Sequence, residues 1–266
     1  MDSFADERDF ALLSKDRYTF MVLDRILRGP CELVRTDHEH VILCHSESRY
    51  PVWIWTPDGA DDSVKQTAWN LAQTHRPLNR GYRYNVKYEL ADDFIARAEK
   101  DGLQVSYAMQ LYAYDCPLPM KPRLSADGQV YLCTPEDAEE AAGLLPLFYA
   151  EIGEEAPPRE ACLEKARAYI GDNALFFWKN ALGKTVACCS YGRNQGFASL
   201  GSVFTLPEER RKHYAQNLVY HVTQKLKDMG LVPMLYTDAN YPASNACYEK
   251  IGYVLRGRLC TVAQAK

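Results

Sequence analysis

The sequence predicts an α/β protein of the α+β kind: a mixed, mostly antiparallel sheet flanked by helices, built in two halves. Three observations carry this. Apolar residues recur at helical spacing in some stretches and form short β-branched and aromatic runs in others. In the second half a run of hairpin strands leads into a strand–helix–strand crossover, which implies a mixed sheet with helices on both faces. The stretch CPLPMKPRLSADGQ (116–129), with three prolines and an Asp-Gly turn, reads as a linker between the halves.

The first half, residues 1–120, opens with a helical pattern over 6–28, where Leu12, Leu13, Phe20, Leu23, Ile26 and Leu27 share a face and Gly29-Pro30 ends the run. Strands are expected at 40–45 and 50–56, a helix at 63–75, a strand at 82–89, a helix at 91–101 ending at Gly102, and a strand at 103–114. The second half, residues 128–266, starts with a strand at 129–133. Thr134-Pro135-Glu136-Asp137 then joins a capping residue to proline at the first helical position and acids in the first turn. A second helix follows at 159–170, then strands at 174–180, 185–193 and 198–205, with a Gly183-Lys184 turn between the first two. A helix at 208–229, a strand at 233–238, a short helix at 242–251 and a last strand from Tyr253 complete the chain. Both halves show helices, then hairpin strands, then strand–helix–strand, so a shared architecture is expected.

The 266 residues are 47% hydrophobic and 25% charged with a net charge of −4, a composition of soluble globular proteins with room for a sizeable core. A mildly acidic chain lacks the basic footprint of nucleic-acid binders, and no nucleic-acid partner is expected. MDSFADERDF lacks the basic-then-apolar pattern of a secretion signal, and no apolar run approaches the roughly 18 residues of a membrane span. The nine scattered cysteines form no CxxC, so reduced, mostly buried thiols in a cytoplasmic protein are expected, with a catalytic cysteine as the sharper alternative. His38, His40 and His45 do not complete a four-ligand metal set, and no metal is expected.

One stretch raises a physical question. In VFTLPEERRKHYAQNLVYHV (203–222) a basic cluster, Arg210 to His213, stands at a helix start, where the macrodipole already places positive charge. Pro207, Glu208 and Glu209 suit a first turn, which would put the cluster in the second turn as a solvated face. Alternatively, the cluster neutralises an anion held by backbone N–H groups at a strand-to-helix turn. An apolar stripe of Ala215, Leu218, Val219, Val222, Leu226 and Met229 anchors the helix behind it, and small Ala215 permits close approach. The comparable junction of the first half carries Asp58, Asp61 and Asp62, which repel phosphate.

A second stretch, LYTDANYPASNACYEKIGYV (235–254), places Ser244, Asn245 and Tyr248 on one helix face, with Pro242 at the helix start and Gly252 past its end. Together the two stretches resemble the GNAT-type N-acetyltransferase superfamily over about 129–262. The family's acetyl-CoA loop, Arg/Gln-x-x-Gly-x-Gly/Ala, matches Arg210-Arg211-Lys212-His213-Tyr214-Ala215, and VFTLPEE resembles its bulged strand and exit. The family form Asn-Pro-x-Ser-Asn-x-x-Tyr-x-Lys-x-Gly-Tyr matches the second stretch closely. His213 replaces the family's central glycine, where a side chain crowds the phosphates or contacts one. The two-half layout resembles bacterial members with a degenerate GNAT-like N-terminal half, here without a cofactor site.

The resemblance implies acetyl transfer from acetyl-CoA to a primary amine of a small molecule or peptide. It implies that backbone N–H groups of Val203, Phe204 and Thr205 line the pantetheine and thioester. Those of 210–215 would hold the pyrophosphate, with the side chains of Arg210, Arg211 and Lys212 nearby. Asn240, Ser244 and Asn245 would line the CoA arm, and Tyr248 would be the general acid. It identifies no base; Glu151 is unplaced. The alternative is a non-catalytic acyl-CoA-binding or regulatory module that kept the fold, for which His213 is the best support.

Overall fold

The computed structural model describes residues 1–265. The chain forms two compact units. The first takes residues 1–113, then 237–240 and the chain from 256 through the last strand; the second takes 114–236 and 241–255. The sequence places the whole C-terminal strand in the second half, whereas its residues from 256 join the first unit.

The first unit opens with helices α1 (Glu7–Lys15) and α2 (Met21–Leu27) and strands β1 (Leu33–Thr36), β2 (Ile42–His45) and β3 (Val52–Trp55). Helix α3 (Asp62–His75), strand β4 (Tyr84–Val86), helix α4 (Tyr88–Lys100) and strand β5 (Val105–Asp115) follow. The helical pattern over 6–28 is thus two helices. The break serves tertiary contacts: Asp16, past the end of α1, accepts hydrogen bonds from Trp55 Nε1 (2.8 Å) and Lys87 Nζ (2.6 Å). Strand β1 was not expected, because LVRT is too short to show alternation.

The second unit contains β6 (Gln129–Leu132), α5 (Ala138–Glu151), α6 (Arg159–Gly171), β7 (Leu175–Lys179), β8 (Thr185–Asn194) and β9 (Phe197–Thr205). Then come α7 (Tyr214–Asp228), β10 (Val232–Asp238) and α8 (Pro242–Ile251); β11 (Val254–Gln264) ends the chain. Its strand order is β10-β9-β8-β7-β6, antiparallel except for the parallel pair β9/β10. Alternate residues of β7 serve opposite faces. Leu175 and Phe177 join the core of α5 and α6, while Trp178 packs at a tilt against His221 of α7 with ring centroids 5.9 Å apart. This is the mixed sheet flanked by helices that the sequence predicts.

The first unit repeats the plan. β1/β2 and β2/β3 are antiparallel, β3/β4 is parallel across helix α3, and β11 pairs antiparallel with β4. An isolated bridge, Asp2 to Thr36, stands where β6 pairs with β7. Each unit has its own core, built on Leu43, Ile54, Trp69, Tyr84 and Phe94 in the first and on Leu145, Phe177 and Phe204 in the second.

All nine cysteines are free thiols, and only Cys31 and Cys247 are not fully buried. Among the described residues one cluster has metal-ligating chemistry: Asp6, Asp9 and His38. Both His38 ring nitrogens already lie within hydrogen-bond distance of carboxylates, Nδ1 of Asp9 at 2.7 Å and Nε2 of Asp2 at 2.9 Å, so the ring is engaged within the protein. No described helix is long and apolar enough to cross a membrane.

Candidate active site

The second unit's central strand is irregular. On β9, Gly201 faces Ser190 and Phe204 faces Cys188, so Ser202 and Val203 together oppose the single residue Cys189. That is a β-bulge, and Ser202 has φ +48°, a left-handed conformation uncommon outside glycine. On its other side β9 pairs with β10 only from Phe197 to Ser199. Beyond that the two strands part, and the end of β9 offers a backbone edge. The Leu206 N–H donates to the Val186 carbonyl (3.0 Å) toward β8. Alternation therefore turns the Thr205 backbone toward the open edge. Phe204 buries its side chain in the core, and Thr205 Oγ1 is buried with no hydrogen-bond partner among the described residues.

The chain then departs from the sequence expectation. The helix expected from 208 begins at Tyr214; Pro207–Glu209 form a single 3-10 turn and Arg210–His213 a loop. The basic cluster is thus not a helix face. Arg210 is extended, while Arg211 (φ +66°) and His213 (φ +65°) are left-handed. Such a loop turns successive N–H groups inward as a nest. The N–H groups of Arg211, Lys212, His213, Tyr214, Ala215 and Gln216 have no acceptor among the described residues, and α7 has no side-chain cap and no acid in its first turn. The macrodipole of α7 adds to this positive end.

The loop's side chains divide. Arg210 donates to the Thr205 carbonyl (Nε, 3.3 Å) and to Glu151 Oε2 (Nη2, 2.8 Å). Lys212 pairs with Glu209 at 2.8 Å, and Arg211 and His213 are exposed. Tyr214 turns its hydroxyl away from the loop onto Asp127 Oδ1 (2.5 Å), and Asn217 donates to the Leu124 carbonyl (3.1 Å), so the 116–129 segment is tied to the start of α7.

His213 occupies the glycine position in a glycine conformation. A non-glycine residue there costs about 1–2 kcal/mol. His213→Gly is expected to raise unfolding free energy by about 1 kcal/mol, whereas β-branched His213→Val should lower it. Equal stability of all three proteins in urea would show that the loop is unstrained.

Helix α8 supplies the remaining face. Pro242 starts it, and the N–H groups of Ser244 and Asn245 both return to the Tyr241 carbonyl (3.2 and 3.3 Å). Asn245 and Tyr248 are buried, Ser244 partly so. Tyr248 packs edge-on against Tyr253 (centroids 5.8 Å), whose hydroxyl bonds Thr223 Oγ1 of α7 at 2.7 Å. The Tyr248 hydroxyl has no hydrogen-bond partner among the described residues, and Cys189, the residue facing the bulge, lies within its electrostatic reach. Burial, with lesser contributions from Cys247 and Cys189, pushes the phenol far above its ordinary range, so it keeps its proton at neutral pH. Asn240 is exposed in the turn after β10, its N–H on Asp238 Oδ1 (2.8 Å), and it belongs to the first unit.

An open strand edge with a bulge, an uncapped nest and a buried neutral phenol now stand in one unit. Residues 139–253 match the model of the acetyltransferase (GNAT) family. This segment is a GNAT domain. Solved structures with the same fold include a Drosophila protein (TM-score 0.69, 16% identity, covering 99% of this chain and 98% of that one). A GCN5-related N-acetyltransferase from Sphaerobacter thermophilus aligns at TM-score 0.67 and 14% identity, covering 98% of this chain and 94% of its own. A GNAT-family acetyltransferase from Colwellia psychrerythraea aligns at 0.58 and 13%, covering 100% and 99%. No curated protein sequence matches the chain.

The residues of the GNAT domain fit acetyl-CoA. The unbonded N–H groups at 211–216 suit a diphosphate, and the orphaned Thr205 Oγ1 offers a polar partner on the strand that leads into them. The first unit's matching junction does not fit. Asp61 caps α3 with its own carboxylate on the Val64 N–H (3.0 Å), while Asp58 and Asp62 pair with Lys87 and Arg97. Sequence reasoning left Glu151 unplaced and passed over Tyr241. The GNAT domain joins them, Tyr241 Oη donating to Glu151 Oε1 at 3.1 Å. A contact across that separation leaves no mark in spacing.

Proposed function

We propose that the GNAT domain transfers the acetyl group of acetyl-CoA to a primary amine of a small molecule or peptide. The loop at 210–213, with two left-handed residues ahead of an uncapped helix and beside the open end of a bulged strand, carries this reading. When bound, acetyl-CoA supplies the acyl group as an activated thioester. The N–H groups from Arg211 to Gln216 hold its diphosphate, and Arg211 adds a charge-assisted contact. The backbone of Val203 and Thr205 orients the pantetheine and polarises the acyl carbonyl. Ser244 and Asn245 line the arm. Tyr248 would donate its proton to the departing sulfur as the neutral amine nitrogen bonds the acyl carbon and the carbon–sulfur bond breaks; the acylated nitrogen would release its extra proton to solvent, and solvent would return one to the Tyr248 phenolate.

The competing reading, a non-catalytic acyl-CoA-binding module, rests on His213. Its left-handed backbone and exposed side chain leave the N–H cradle formed, so His213 does not close the loop to a diphosphate. The test is thermal unfolding with acetyl-CoA. At a hundred times Kd the ligand should stabilise the protein by about 2.7 kcal/mol, and primary amines should then release free thiol. Replacing Arg211 and Lys212 together by alanine should weaken CoA about tenfold, the scale of lost charge-assisted contacts, and leave pantetheine binding unchanged. No shift at millimolar acetyl-CoA would leave an inert module. A shift without thiol release from any amine would leave a binding protein.

A further inference from the structure

In the GNAT domain, Glu151 at the end of α5, Arg210 in the loop after β9 and Tyr241 at the N-cap of α8 meet at one point. The first unit has the same three places in its own plan: Asp16 after α1, Asp58 in the loop after β3, and Lys87 at the N-cap of α4. There a primary ammonium is held. Lys87 Nζ lies 2.6 Å from Asp16 Oδ2 and 2.6 Å from Asp58 Oδ1, and 5.8 Å above the rings of both Phe20 and Trp55. In the second unit the cation at that place is the Arg210 guanidinium, set between Glu151 Oε2 (2.8 Å) and the Thr205 carbonyl (3.3 Å).

We propose that Glu151, supported by the Tyr241 hydroxyl, is the counter-ion for the acceptor's ammonium, and that Arg210 stands in for that ammonium until CoA phosphate draws it away. The proposal rests on the acetyltransferase reading. Its physical basis is that Arg210 also opens the phosphate loop, and a guanidinium is matched in shape to phosphate oxygens. Leaving Glu151, it vacates a carboxylate and a backbone carbonyl next to the edge that orients the thioester. Two acceptor groups about one guanidinium apart suit an ammonium. While Arg210 is in place its hydrogen bond holds the Glu151 carboxyl below the ordinary range; the smaller contribution of the Tyr241 hydroxyl stays when Arg210 leaves, and the arriving ammonium takes over the place of the guanidinium. The acceptor is accordingly a cationic primary amine with no negative charge beside its nitrogen.

The experiment measures CoA affinity by calorimetry, then butylamine binding by saturation-transfer NMR, with butanol as the neutral control. Glu151→Gln should tighten CoA about threefold, because a half-exposed pair of this kind is weak and Arg210 no longer has to leave a carboxylate. Tyr241→Phe should leave CoA affinity within twofold and weaken butylamine. Butylamine, and not butanol, should give a signal with the wild-type CoA complex, and none without CoA or in Glu151→Gln. Unchanged or weaker CoA binding in Glu151→Gln would overturn the proposal while the acetyltransferase reading stands. So would butylamine transfer that ignores CoA or Glu151, or no transfer in the wild-type complex. A wild-type protein that binds no CoA overturns both.

Discussion

Tyr248→Phe is expected to lower kcat about a hundredfold, at the lower end of what a positioned acid contributes, while the Kd of acetyl-CoA stays within a factor of two. The substitution removes one oxygen. The ring keeps its edge-on packing against Tyr253, so α8 and its neighbours are undisturbed. The hydroxyl has no hydrogen-bond partner among the described residues, and stability is expected to hold as well. On the proposed mechanism, what is lost is the proton donor to the leaving sulfur. Rapid-quench measurement of a single turnover isolates the chemical step from product release. A wild-type rate in Tyr248→Phe would reduce the tyrosine to a packing residue.

Gly252→Ala is expected to cost about 2–5 kcal/mol, the sum of a left-handed alanine (about 1–2 kcal/mol) and overpacking (about 1–3 kcal/mol). Gly252 ends α8 at φ +103°, and its N–H reaches the Glu249 carbonyl (3.0 Å) while the Tyr253 N–H reaches that of Tyr248 (3.1 Å). This double closure requires the left-handed residue. An added Cβ would lie 2.3 Å from the Leu118 carbonyl oxygen, a backbone atom that rotation cannot remove. The neighbouring bond from the Met120 N–H to the Ile251 carbonyl (2.7 Å) would be strained with it. Because the Tyr248 carbonyl is part of the closure, the site loosens as well. Urea unfolding checks the figure; a loss below about 1 kcal/mol would mean that the 116–129 segment yields freely.

Much of this was legible in advance where local chemistry sets local structure. The face shared by Ser244, Asn245 and Tyr248, the stop at Gly252 and the contrast between the acidic and basic junctions follow from residue type and spacing. The same logic misjudged the start of α7. A proline followed by two glutamates is a sound helix opening, and nothing local shows that Arg211 and His213 adopt conformations normally left to glycine. The 6–28 pattern misled for a similar reason, since periodicity continues across a break imposed by Asp16, Trp55 and Lys87.

By itself the sequence determined the element types, the two-part plan and the paired motifs, because periodicity, caps and turn residues act over a few positions. Only the tertiary structure decided the bulge at Ser202 and Val203, the place of the last strand, and the meeting of Glu151 with Arg210 and Tyr241. Those two contacts join residues 59 and 90 positions apart. Strand register and ion pairing at such range depend on which surfaces the packed sheet brings together, a quantity no local window contains.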